Sequence, residues 1–337
     1  MIDWYKVRRN GYAIFLYTDL ASIEFVKKSI EPYYIINKVI SVSEVFDSSY
    51  WKISNRPDSF KLTSDKIDII QSKQRVLDEP ERVFFVEAHE RIIELIKPVD
   101  TKWRDQIVIR LIRDIFRNYF LTNDSMSFFH GGLIKSKNLG IAFMGGKKSG
   151  KTSSILSFLK YGNVDYATND DISIQIIDDK VHGFGWPRTV SVRNDTFDVL
   201  EMDRASIIGR LRHPSNGTIW KNKATFIYPN ELEQLFTTKV ISNSEVNYIV
   251  FPTFDKDIYT PNLRELNRSE FKELLELNME PDINRYFKDF QRYFPNVDIS
   301  SNNKVLDIIS EKCHGIILNQ NFRNLKQSVE LVKKELM

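Results

Sequence analysis

Apolar residues follow two different rhythms along this chain. Up to about residue 100 they come in short β-branched or aromatic runs at residues 12–17, 39–42, 50–53 and 83–86, divided by polar turns, and such runs predict strands. Residues 22–30 predict a short helix that ends near Pro32. Between about 105 and 121 the rhythm changes. Val108, Leu111, Ile112, Ile115 and Tyr119 recur at three- and four-residue intervals and so line one helix face. Arg110, Arg113 and Arg117 fall on another face, which reads as solvated. From about 125 strands and helices alternate. A strand at 127–134 turns at 135–138 into a return strand at 140–144, and a helix follows at 153–161. A short strand ending at Tyr166 and an alternating strand at 172–177 come next, with Asp178, Asp179 and Lys180 in a turn. Two helices close the chain, at 269–277 with Ser269 suited to cap it, and at 324–336. The fold class expected is α/β. A strand-rich α+β domain would occupy 1–103, a connecting helix 104–124 and an α/β domain 125–337.

Composition narrows the setting more than the chemistry. Of 337 residues, 42% are hydrophobic and 28% charged, and a net charge of +3 gives no argument for nucleic acid or a membrane surface. Cys313 is the single cysteine, so no internal disulfide forms and a buried, inert thiol in a reducing compartment is expected. The first residues lack the basic-then-apolar order of a signal peptide, and no apolar stretch approaches the length of a membrane span. A soluble cytoplasmic protein is the expectation, with the oligomeric state open, a homo-oligomer included.

The chemistry is concentrated at 145–152. Gly145, Gly146, Lys147, Lys148, Ser149, Gly150, Lys151 and Thr152 spell G-x-x-x-x-G-K-T, a P-loop. Glycine is needed where backbone N–H groups turn inward around a polyphosphate. In that pattern Lys151 reaches the β- and γ-phosphates and Thr152 ligates Mg²⁺, while the helix opening at Ser153 turns its positive end to the anion. A strand before the motif and a helix after it are the context the motif requires. These eight residues and Ser153 are therefore the candidate binding site for ATP.

Two further groups can be placed beside that loop. If 127–134 and 140–144 form a hairpin whose facing residue numbers sum to about 274, His130 lies across from a position near Met144, at the mouth of the loop. Asp170 and Asp171 follow a short strand one step beyond the loop. Carboxylates there suit phosphoryl transfer, one holding Mg²⁺ and one accepting the proton of an attacking hydroxyl. The turn-rich segment 209–223 carries Arg210, Arg212, His213, Lys221 and Lys223, which either close over phosphates and grip an acidic substrate or form an ordinary surface loop. Arg188 and Arg193 are similar candidates. His89, among charged neighbours, reads as a surface residue.

Residues 129–174 resemble the catalytic domain of HPr kinase/phosphorylase and its kin, P-loop kinases related in fold to phosphoenolpyruvate carboxykinase. The resemblance rests on His130-Gly131, Leu139-Gly140, the loop at 145–152, Gly162 and the acidic group at 169–171, over about 45 of the 337 residues. It implies that the acidic residue beside the loop works with the histidine to take the proton of a serine hydroxyl. The pair aligns as Asn169-Asp170 or as Asp170-Asp171, so Asp170 alone carries over in both registers. The later family segment for the phosphorylase reaction and for HPr recognition is not found, which argues against HPr as the acceptor. The helix leading into Phe128, Phe129, His130, Gly131 and Gly132 looks instead like stand-alone HPr-kinase-like proteins, among them kinases of ribosomally made precursor peptides such as lasso peptides.

The sequence thus predicts an ATP- and Mg²⁺-dependent kinase of a hydroxyl group, on a serine or threonine of a peptide or small protein. Lys151 would hold phosphates, Thr152 and Asp170 the metal, Asp170 also the role of base, with Asp171 as its partner and His130 orienting it. Two other readings stay open: a small-molecule kinase with the same machinery, and a nucleotide-binding regulatory or scaffold protein without turnover.

Overall fold

Strands β1 (Ile2–Arg9) and β2 (Tyr12–Asp19) form an antiparallel hairpin. Asn10 and Gly11 take the positive φ that a two-residue turn of this hand requires. The computed structural model describes residues 2–56, 60, 66–72, 80–124, 126–203, 206–212, 224–280, 288–294 and 301–337. The protein is mixed α/β, and its chain divides into two units. In the first, the hairpin belongs to a seven-stranded sheet with β3 (Ile35–Lys38), β4 (Trp51–Ser54), β5 (Asp68–Ser72), β6 (Arg82–Glu87) and β7 (Ile92–Lys97), ordered β3-β1-β2-β4-β7-β6-β5. The run at 39–42 is not a strand. Pairing stops at Lys38, Ile40 is wholly exposed, and Val42–Phe46 winds into a 3-10 helix that buries Val45 alone of its residues.

The helix Thr101–Asn123 extends beyond its periodic core at both ends, packs within this unit and ends where the second unit begins. Tyr12 stacks on Tyr119 at 5.1 Å, and Tyr34 meets Phe116 edge-on at 5.0 Å. Arg110, Arg113 and Arg117 are accordingly half-buried, not a solvated stripe. Residues 288–294 also belong here, with Phe290 against Phe84 at 5.2 Å.

The second unit is built on a nine-stranded sheet. It contains β8 (Ser127–Ser136), β9 (Leu139–Met144), β10 (Asp165–Thr168), β11 (Asp171–Ile177) and β12 (Lys180–Gly185). A separate two-stranded pair, β13 (Val190–Arg193) with β14 (Ala224–Ile227), lies outside that sheet. The rest of the large sheet is β15 (Asn243–Glu245), β16 (Tyr248–Phe254), β17 (Asn262–Glu265) and β18 (His314–Gln320). Its order is β15-β12-β11-β8-β9-β16-β18-β17, with β10 also on β8. β9, β16 and β18 run parallel, so their carboxyl ends share one edge.

One face of this sheet buries Phe129, Met144, Ile172 and Phe251 with Phe271, Leu275, Leu306 and Ile309 of the helices Arg268–Asn278 and Ser301–Lys312. The first of these helices is capped by Asn267, whose side chain accepts from Glu270 N, and not by Ser269. The other face holds the helix Lys151–Tyr161. There Phe143 and Phe158, both fully buried, pack 5.4 Å apart, and burial of each ring contributes about 2–3 kcal/mol.

β8 organises the site. Along one edge it pairs with β9, in a register that sets Gly131 opposite Met144, one residue from the expected alignment. Along its other edge it pairs first with β11, Asp171 opposite His130, and then with β10, Thr168 opposite Leu133. Asn169 and Asp170 therefore form a break in an otherwise continuous antiparallel ladder, and such breaks re-aim side chains.

Candidate functional site

The loop at 145–152 joins β9 to the helix Lys151–Tyr161. Gly150 caps that helix at φ +108° and supplies no side-chain acceptor, so no cap side chain engages the N–H groups of the first turn. Gly145 also has positive φ, at +146°. Lys147 and Lys148 are exposed, Ser149 is half-buried with an Oγ that has no hydrogen-bond partner, and Gly146 is open to solvent. Lys151 is buried, and its ammonium donates to the carbonyl oxygens of Gly145 (2.6 Å) and Gly146 (3.0 Å). Burial lowers its pKa, and the nearby carboxylate of Asp170 opposes that shift. Thr152 and Ser153 follow, half-buried, and Ser153 Oγ lies 3.4 Å from Thr196 Oγ1.

His130 is held beside this loop from β8. Its Nδ1 is 3.2 Å from the carbonyl oxygen of Asp170, and Gly131 N donates to the same oxygen at 3.3 Å. A carbonyl can only accept, so the bond puts a proton on Nδ1 and directs Nε2 away from it. Residues two apart on a strand share a face, and a Cβ on Gly132 would meet Ile155 of the loop helix. His130 therefore stands on the helix face of the sheet, as does its directly opposed neighbour Asp171.

The two adjacent aspartates have different surroundings. Asp171 is buried, and Arg188 Nη1 donates to its Oδ1 at 2.6 Å, so both are committed to an ion pair. Asp170 is half-exposed, and among the described residues no hydrogen bond or ion pair holds its carboxylate. Next to it, Asn169 is 2% exposed, yet neither Oδ1 nor Nδ2 has a partner. Burying an amide unpaired costs about 1–3 kcal/mol, which marks this carboxamide as suited to a polar ligand. A free carboxylate, an orphaned amide, a hydroxyl at Thr152 and an ammonium at Lys151 are a donor and acceptor set that fits a metal-bound polyphosphate. No cluster of three or more His, Cys, Asp or Glu side chains occurs among the described residues, so a metal here would share its coordination with the phosphate.

The structure thus brings together His130, Lys151, Asp170 and Asp171, with Arg188 bonded to the last of them. Arg210 pairs with Glu231, which also accepts from Tyr228 N, and lies 4.1 Å from the ring centre of Tyr228. Arg193 pairs with Asp195 on the surface. His213, Lys221 and Lys223 lie outside the described residues. Asn169 was legible only as one register of the acidic group. The Arg188–Asp171 pair joins positions too distant in sequence for spacing to reveal.

No protein-family model matches the chain, and no curated protein matches it in sequence. Among solved structures it is similar to the HPr(Ser) kinase/phosphatase from Coxiella burnetii, with a TM-score of 0.30 and 11% identity over 61% of this chain and 93% of that one. A likeness at that level leaves the site to be read from its own geometry. No helix among the described residues is long and apolar enough to cross a membrane.

Proposed function

We propose that the chain is an ATP- and Mg²⁺-dependent kinase that phosphorylates a hydroxyl group, that of a serine or threonine in a peptide or small protein. The observation that carries this reading is the unengaged Asp170 carboxylate, set beside Lys151 and on the same backbone as the carbonyl that orients His130. Bound Mg·ATP would supply an electrophilic γ-phosphorus with much of its charge neutralised. The backbone N–H groups of 145–152 and the ammonium of Lys151 would hold the β- and γ-phosphates, as in a P-loop, with Thr152 and Asp170 as metal contacts and Ser153 on the flank. Lys151 is already desolvated, which strengthens its pull on an anion. Asp170 accepts the proton of the acceptor hydroxyl. His130, with Nδ1 bonded to the Asp170 carbonyl, orients that hydroxyl or takes up the proton through Nε2. Asp171 does not share the proton. Its bond to Arg188 fixes the strand end from which Asp170 projects.

The test uses γ-labelled ATP with serine- and threonine-containing peptides, water being the fallback acceptor followed as ADP release. Asp170→Asn should keep nucleotide affinity and lose transfer by roughly 10²-fold or more. Lys151→Ala should lose ATP-dependent thermal stabilisation. Undiminished transfer by Asp170→Asn would remove it from the mechanism, and Mg·ATP binding by Lys151→Ala as tight as in the parent chain would remove the loop.

A further inference from the structure

The carboxyl ends of β9, β16 and β18 meet at one sheet edge, the position where open α/β sheets receive ligands. Phe254 and Gln320 are directly paired there. Phe254 lies against the glycine-lysine loop, for a Cβ on Gly150 would sit 2.7 Å from its ring. Phe322, in the short turn Phe322–Asn324, meets Phe254 at 5.4 Å and 76°. Both rings are half-exposed, whereas Phe143 and Phe158 on the same side of the sheet are fully buried. Beside them Gln320 is fully buried and donates Nε2 to Ser154 Oγ at 2.8 Å, while its Oε1 has no partner.

His130 and Asp170 stand on the β8 side of β9, and this aromatic pair on the β16 side. A nucleotide whose terminal phosphate lies by His130 and Asp170 extends its nucleoside end the opposite way, across the first turn of the helix Lys151–Tyr161. Resting on the kinase reading above, we propose that Phe254 and Phe322 form the platform for the purine base. Phe254 offers flat apolar surface contiguous with the phosphate loop, Phe322 extends it, and Gln320 offers an acceptor at its base. Stacking needs no particular base edge, which explains why the sequence carries no motif for it.

The experiment is calorimetric titration of the full chain with Mg·ATP and, separately, with Mg·tripolyphosphate, which has the phosphates and no base. Phe254 supports Gly150, so the variants are made at Phe322. Phe322→Ala should weaken ATP by roughly 5- to 150-fold, the range for loss of one base–aromatic stack, and leave tripolyphosphate within about twofold. Phe322→Leu, which keeps apolar contact with Phe254 but has no flat face, should behave like Phe322→Ala, and Phe322→Trp should retain affinity. Equal losses for both ligands, or none for either, would overturn the platform and leave the phosphate loop standing. A parent chain that binds neither ligand would overturn the kinase reading and the platform together.

Discussion

Gly132 is the residue whose replacement should most clearly expose how the site is assembled. A Cβ built there comes within 2.3 Å of Ile155 Cδ1, 2.6 Å of the carbonyl oxygen of Thr168 and 2.8 Å of that of Asn169. Ile155 can change rotamer. The two carbonyls belong to the segment that crosses over β8 and cannot turn away without moving the backbone. Overpacking of this kind costs about 1–3 kcal/mol, and two backbone contacts place Gly132→Ala at the upper end. For a unit of this size that corresponds to a fall in Tm of roughly 4–12 °C by calorimetry. Gly146→Ala is the control: its Cβ would meet nothing within 4 Å and its φ is not positive, so stability should change by less than about 0.5 kcal/mol. Relief of the clash also displaces Asn169 and Asp170 from Lys151. Phosphate transfer should then fall further than the loss of folded protein explains. If Gly132→Ala melts within about 1 °C of the parent, the close crossing of 168–169 over β8 is wrong.

Two other outcomes follow from side chains outside the loop. Cys313 is 7% exposed with its thiol directed to Val246 O at 3.1 Å, and burial pushes its pKa up to about 12. It should resist alkylation at pH 8 until the chain is unfolded, since the thiolate is the reactive form, and rapid labelling of the native protein would contradict this. Arg188→Gln should destabilise by about 1–3 kcal/mol by taking a guanidinium from the buried carboxylate of Asp171. The double variant Arg188→Gln, Asp171→Asn should lose less than the sum of the single losses, and simple additivity would show that the pair is not coupled.

Much of the site was readable because it is local. The loop at 145–152 is a contiguous pattern, and the strand before it and helix after it are short-range consequences of apolar spacing. The hairpin placing His130 near the loop was also legible, with an error of one residue, since Gly131 and not His130 faces Met144. The turn is two residues, Lys137 and Asn138, and a strand longer by two at its end was hidden because Lys135 and Ser136 are polar. What could not be read depends on distant pairings. β1, β3, β5 and β7 mix polar with apolar positions because part of each is exposed, and 39–42 has strand-like composition without a covering surface. The arginines at 110, 113 and 117 looked solvated because the sheet packed against their helix is invisible from the helix alone. Which aspartate is free and which is paired turned on Arg188, and nothing near 170 in sequence announces it.

The slip in the ladder beside β8 decides that distinction. Tyr166 stands opposite Ile134, but Thr168 stands opposite Leu133, so one residue is extra between them, and the shifted register then runs on to Asp171 opposite His130. Had the first register continued, Asp170 would stand opposite His130 and Asp171 would not. A one-residue insertion after Ala167, taken into the ladder, would therefore set Asp170 opposite His130 without either aspartate being mutated, whereas deletion of the extra residue would close the bulge and leave Asp171 there. In a chain one residue longer there, the first aspartate and not the second would face the histidine. Alignment by residue identity alone would mistake the structural aspartate for the reactive one.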